Sequence, residues 1–275
     1  MSSNSKKANI VRPLMGDEGL SPESAEGEEV VIHARARGVY VLPNLFTTAG
    51  VFAGFYAIMQ AQLGQYEAAC VAIYVAMVMD IVDGRLARLT NTQTEFGSQY
   101  DSLADMVSFG VAPALILFDY ALHDMGRLGS LIAFVYIACA ALRLARFNVA
   151  KSNDKRFFIG VPSPGAAAMI ATVIWVMVDY QIRPDFFKYI LGLLMLLLAL
   201  AMVSNIKYRS FKDIEVREQI PFIGLTVLVI VIAIIYMDPP LAFLLIGGSY
   251  IFGGAIVYCY KKILKFKRRE SADNT

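Results

Sequence analysis

Four aspartates lie within 26 residues of one another in the stretch DIVDGRLARLTNTQTEFGSQYDSLAD, residues 80 to 105, on two segments that otherwise read as membrane-buried helix. Asp80 and Asp83 are spaced i and i+3, and Asp101 and Asp105 are spaced i and i+4. On helices each pair therefore shares one face. The two segments read as a hairpin whose midpoint falls near residue 92, so antiparallel packing sets the two pairs level with each other. A carboxylate inside a bilayer costs roughly 2.5 to 3.5 kcal/mol, and like charges at helical spacing add repulsion. Four such groups require cations. Arg85 and Arg88 offset half of the charge, whereas two divalent ions would neutralise all of it. An oxygen-only donor set selects hard ions, Mg²⁺, Mn²⁺ or Ca²⁺, over zinc. Hard ions with open positions are partners for phosphate oxygens, so the chemistry expected is phosphoryl-type transfer at a membrane surface. Gly84 and Gly97 bear no side chain where the helices enter the site. Each reads either as space for a bulky phosphate or nucleotide or as a tight helix crossing.

The elements that position these groups follow from hydropathy. Of 275 residues 57% are hydrophobic and 17% charged, and the mean hydropathy is +0.55, which excludes an ordinary soluble domain and indicates a polytopic membrane protein. At roughly 20 residues per crossing, eight segments can be placed, near 39–61, 67–89, 96–119, 128–149, 162–181, 187–204, 219–237 and 240–260. An even number puts both termini on one side. Only Arg127, Arg183 and Lys188 of the 25 Lys and Arg residues fall on the other side, so the termini and the aspartates are expected to be cytoplasmic. The expected organisation is a disordered acidic arm over 1–30, an interfacial amphipathic segment over 31–38, a transmembrane catalytic domain over 39–262 and a basic tail over 263–275. Cys70, Cys139 and Cys259 stand singly in apolar runs and read as small core residues rather than a disulfide or metal framework. A net charge of +2 gives no indication of a nucleic-acid partner.

Taken together, Asp80-x-x-Asp83-Gly84-x-x-Ala87-Arg88, eight further residues, and Gly97-x-x-x-Asp101-x-x-x-Asp105 resemble the signature of the CDP-alcohol phosphotransferases at every position. The resemblance implies an all-α membrane helix bundle with a six-helix core, here extended by two helices. It also implies two divalent ions, Mg²⁺ or Mn²⁺ with Ca²⁺ as a further option, held by Asp80, Asp83, Asp101 and Asp105. By the same resemblance Asp105 is the general base, and Gly84, Ala87, Arg88 and Gly97 contact a CDP-linked donor. The segment PNLFT at the start of the first span resembles the family's nucleotide-contacting segment, which brings Asn44 and Thr47 to the donor, with Thr94 as a contact from the hairpin loop. After Pro43, Asn and Thr also suit a plain helix start.

Two further stretches bear on the acceptor. LRLARFN, residues 142–148, sets Arg143 and Arg146 at i and i+3 near the end of the fourth span. The pair serves either as topology-setting charge or as an anion site. Together with GVPSPGAAA, residues 160–168, and the eight spans, it makes most of the chain from residue 39 onward similar to the serine-accepting bacterial and archaeal branch of the family. That similarity implies transfer of a phosphatidyl group from CDP-diacylglycerol to L-serine with release of CMP, in a homodimer embedded among membrane lipids. Glycerol 3-phosphate or an inositol phosphate is the alternative acceptor. A transporter using intramembrane carboxylates is the rival from another class, and the absence of a second copy of the aspartate pattern speaks against it.

Overall fold

The structure, a computed structural model, describes residues 22–90, 92–149, 157–204, 207–209, 222–249 and 253. Residues 1–21, the end of the eighth expected span and the basic tail over 263–275 lie outside the described residues. The order of elements is α1 (Pro22–Gln62), α2 (Tyr66–Leu89), α3 (Glu95–Asp105), α4 (Ala112–Leu117), α5 (Arg127–Val149), α6 (Ser163–Asp179), α7 (Lys188–Val203), α8 (Phe222–Met237) and α9 (Pro239–Ser249). Residues 22–38, where an arm and an interfacial segment were expected, belong to α1 and run unbroken into the first apolar stretch.

Among the described residues, three helical stretches are long and apolar enough to cross a membrane: Leu42–Gln62, Glu95–Met125 and Arg127–Val149. The remaining apolar helices are shorter, and α2 carries Glu67, Asp80, Asp83, Arg85 and Arg88 among its 24 residues. The fold is a membrane helix bundle. The stretch Glu95–Met125 is not a plain α-helix. A π-turn over Met106–Val111 joins α3 to α4, and a second over Phe118–Leu122 follows α4.

Close packing of α1 on α2 follows from small residues. Gly50, Ala53, Gly54, Ala57 and Ala61 recur along one face of α1, and Ala69, Ala72 and Ala76 along α2, with these alanines all buried. In lipid, apolar side chains gain little by leaving the solvent, so backbone proximity and dispersion hold helices together. Gly54 is the tightest point: a Cβ there would lie 2.7 Å from Ser108 Oγ and 2.8 Å from Ser108 Cα. Cys70 is buried in this core as a free thiol and Cys139 is half-buried, while Cys259 lies outside the described residues.

One addition to the helical architecture is a two-stranded antiparallel pair, β1 (Phe157–Ile159) with β2 (Lys207–Arg209), in register Phe158 to Tyr208. Just after β1, the Val161 amide donates to the Ala201 carbonyl at 3.1 Å, which ties the entry of α6 to the end of α7. Gly160 makes this tie feasible. Its φ is +80°, and a Cβ would sit 2.3 Å from the Met202 carbonyl oxygen, so only glycine fits.

Candidate active site

Asp80 and Asp83 come from α2, Asp101 and Asp105 from α3, and the four line one cleft. Asp80, Asp101 and Asp105 each offer an oxygen, and the three atoms lie within 4.8 Å of one another. All three side chains are half-buried. Asp83 lines the same narrow cleft, bounded also by Thr47, Ala76 and Ser108. It is only 4% exposed. One of its oxygens, Oδ2, accepts a hydrogen bond from Thr47 Oγ1 at 2.7 Å, and the other, Oδ1, is buried with no partner. An unpartnered, buried carboxylate oxygen beside three converging carboxylates is a high-energy arrangement unless a cation completes it. The donor set fits a hard divalent ion: three carboxylate oxygens close enough to share one ion, with Asp83 lining the same cleft.

Thr47 sits where the first helix passes α2, is 5% exposed, and shares its proton between Asp83 and the Pro43 carbonyl at 3.1 Å. Its hydroxyl therefore orients a carboxylate. The neighbouring Thr48 is exposed and hydrogen-bonds Tyr100 Oη at 2.9 Å, and Tyr100 in turn stacks on Phe96 at 6.0 Å. Thr94 caps α3: its Oγ1 accepts from the Gly97 amide at 2.9 Å, so the hairpin turn is held by the first turn of the helix that bears Asp101.

The two signature glycines differ. A Cβ on Gly84 would meet nothing within 4 Å, so there is no helix crossing there and open space faces the backbone. A Cβ on Gly97 would lie 3.1 Å from Thr94 Oγ1 and 3.5 Å from Asn44 Oδ1, so close packing explains that position and places the Asn44 amide at the hairpin turn. Ala87 is half-buried next to this opening, and Arg88 folds back so that Nε donates to the Gly84 carbonyl at 2.7 Å.

Arg143 and Arg146 separate in environment. Arg146, near the C-terminus of α5, is exposed. Arg143 is half-buried and donates from Nη1 to Ser163 Oγ at 2.8 Å; its Nε is buried with no partner. Arg143 lies within electrostatic range of Asp105. Ser163, wholly buried at the first turn of α6, was not singled out by the sequence as a site residue, although its place in GVPSPG marked a helix start. A second interhelical network, Ser102 Oγ to Asn148 Oδ1 at 3.1 Å, pins α3 to α5 close by.

Comparison with known proteins places this geometry. Residues 40–205 match the CDP-alcohol phosphatidyltransferase family. A relative from Helicobacter pylori, named CDP-diacylglycerol–serine O-phosphatidyltransferase, is 36% identical over 241 residues, covering 85% of this chain and 98% of the relative. Relatives of the same name from Bacillus subtilis and Methanocaldococcus jannaschii are 32% and 31% identical, covering 62% and 64% of this chain and 91% and 78% of their own lengths. With the aspartate signature folded into one cleft and the match spanning every helix that lines it, this chain belongs to the CDP-alcohol phosphatidyltransferase family.

Proposed function

We propose that the protein is a phosphatidylserine synthase, an integral membrane transferase of phospholipid biosynthesis that passes the phosphatidyl group of CDP-diacylglycerol to the hydroxyl of L-serine and releases CMP. The observation that carries this reading is the convergence of Asp80, Asp101 and Asp105 beside the Arg143–Ser163 pair, in a chain that aligns along nearly the whole length of a relative named for that reaction.

Asp80, Asp83, Asp101 and Asp105 would hold two divalent ions, Mg²⁺ or Mn²⁺, with the lone Oδ1 of Asp83 supporting its place in the set. Bound there, such ions offset the charge of the pyrophosphate and of the departing CMP. Gly84, Ala87 and Arg88, with Asn44 beside the hairpin turn, would contact the donor's nucleotide and phosphates, and the open space over Gly84 supports a close approach of phosphate to backbone. Thr47, Thr94 and Gly97 contribute by holding Asp83 and the start of α3. Asp105 would take the proton of the serine hydroxyl while the serine oxygen bonds to the β-phosphorus. The bond from that phosphorus to the bridging oxygen breaks, and the electron pair leaves with CMP. Arg143, fixed by Ser163 and with Nε unused, suits the serine carboxylate, and Arg146 lies one turn further out to attract anions.

The same reading has eight crossings with both termini and the site cytoplasmic, a catalytic unit over 39–262 between an N-terminal arm and the basic tail, and a homodimer in which the lipid tails enter between helices. The test is CMP release by the purified protein with CDP-diacylglycerol, Mg²⁺ or Mn²⁺, and each acceptor in turn. Serine should exceed inositol, inositol phosphate and glycerol 3-phosphate. Preference for glycerol 3-phosphate overturns the acceptor and leaves the family untouched.

A further inference from the structure

Asp105 is the last residue of α3, and the helix leaves α geometry at the next position. Over Met106–Val111 it widens into a π-turn, in which the Ala112 amide bonds the Val107 carbonyl five residues back. Pro113 bears on this. In an α-helix the carbonyl of residue 109 bonds the amide of residue 113, but proline has no N–H and its ring crowds that carbonyl. The buried Phe109 is thus denied the α-helical donor for its carbonyl. Tyr136, on α5 and wholly buried, donates its hydroxyl to that carbonyl at 3.2 Å.

The wide turn has a consequence for the cleft. One extra residue in a turn rotates everything after it relative to what precedes it, and such turns concentrate at functional sites. Asp101 and Asp105 precede the turn, Ser108 and Phe109 lie within it, and all four line the same cleft. Ser108 Oγ also donates to the Gly50 carbonyl at 3.0 Å, at the point where Gly54 lets α1 come closest. The register of the turn therefore decides both how α3 seats on α1 and where Asp105 stands opposite Asp80.

We propose that Tyr136 is a positioning residue for the carboxylate cluster: its hydroxyl holds the Phe109 carbonyl that Pro113 denies an α-helical donor, keeps the helix in its wide-turn register, and thereby sets Asp105 within reach of Asp80 and Asp101. Tyr136 touches no reacting atom. It stands seven residues before Arg143 on the same face of α5, so one helix face steadies the residues just after Asp105 and brings Arg143 within electrostatic range of Asp105. The inference rests on the reading of the cleft as a divalent-metal site.

The experiment uses the full chain in detergent and Mn²⁺ alone, without substrates, reading Mn²⁺ affinity by titration and stability by thermal unfolding. Tyr136→Phe should weaken Mn²⁺ binding about tenfold, the scale on which partners outside the ligand set act. Tyr74→Phe is the control. The Tyr74 hydroxyl contacts Thr172 and the Ala168 carbonyl away from the cleft, so its loss should lower the unfolding temperature and leave Mn²⁺ affinity within twofold. The deciding variant is Pro113→Ala combined with Tyr136→Phe, which returns an amide donor to the Phe109 carbonyl in α register. Stability should recover while Mn²⁺ affinity stays low. Unchanged Mn²⁺ affinity in Tyr136→Phe, or recovery of both properties in the double variant, would overturn the proposal and reduce Tyr136 to a satisfied core tyrosine. Absence of Mn²⁺ binding by the wild-type chain is a separate result that removes the metal reading itself.

Discussion

Both ends of the bundle carry acidic residues, and the two groups behave as opposites. At one end Asp80, Asp101 and Asp105 are half-buried with oxygens within 4.8 Å of one another, and Asp83 is 4% exposed. At the other, Asp119, Asp124 and Asp185 line a broad depression of about 470 Å³ and are all exposed; the nearest ion pair, His123 with Asp124 at 3.8 Å, has side chains 75% and 66% exposed. The hydrated carboxylates require no compensation, because water already solvates them and screens their repulsion. The enclosed ones lose most of that solvation and are pressed together, so they persist only with a cationic partner. Burial and convergence, rather than the count of acidic residues, separate a site from a wet surface.

Substitutions at the two ends should break or sharpen that contrast. The largest effect is expected for Asp105→Asn, which on the proposed function removes both a hard ligand and the proton acceptor. CMP formation should fall by about two to four orders of magnitude, the usual contribution of a general base, while CDP-diacylglycerol binding survives in part in excess divalent metal. Near-normal turnover would exclude Asp105 as the base. Joint loss of donor binding and turnover would make it chiefly a metal ligand. An intermediate effect is expected for Arg143→Ala. Taking away one partner of an enclosed charge contact costs about 2–5 kcal/mol, so the KM for serine should rise by well over tenfold. Arg146→Ala, at an exposed position, should raise it several-fold with the unfolding temperature nearly unchanged. Steady-state kinetics over serine concentration read both. The smallest effect is expected for Asp124→Asn at the opposite end, where kcat, KM and metal dependence should all remain within twofold of wild type.

The sequence made some of this legible and hid the rest for physical reasons. Apolar runs bounded by turn residues placed α2 and α5 within about two residues of their observed ends, because hydropathy over 20 residues is a strong signal. The i, i+3 and i, i+4 spacings marked Asp80, Asp83, Asp101 and Asp105 as one cleft, since helical periodicity is local. The roles of Thr47, Ser163 and Tyr136 depend on which foreign helix lies opposite, and no spacing within one segment encodes that. Partial signals were present. Pro113 already leaves the carbonyl of residue 109 without an α-helical partner, and Gly50 and Gly54 at a four-residue interval announce a close helix crossing. What these signals lacked was the identity of the partner, Tyr136 in one case and Ser108 in the other.

The bond from Val161 to Ala201, made feasible by Gly160, also orders events during synthesis. A ribosome delivers α2, α3 and α5 well before α7, and early segments associate before later ones arrive. The carboxylate half of the cleft can therefore assemble while α6 still lacks the anchor that fixes its first turn, where Ser163 receives Arg143. A nascent chain halted before residue 200 is predicted to retain Mn²⁺ on its carboxylates yet leave Arg143 unsecured. Release of the arrest should join the two halves only after residue 201 has emerged. Cysteine cross-linking of α5 to α6 in chains arrested on either side of that point would time the event, and equal cross-linking in both would show that α6 docks without α7.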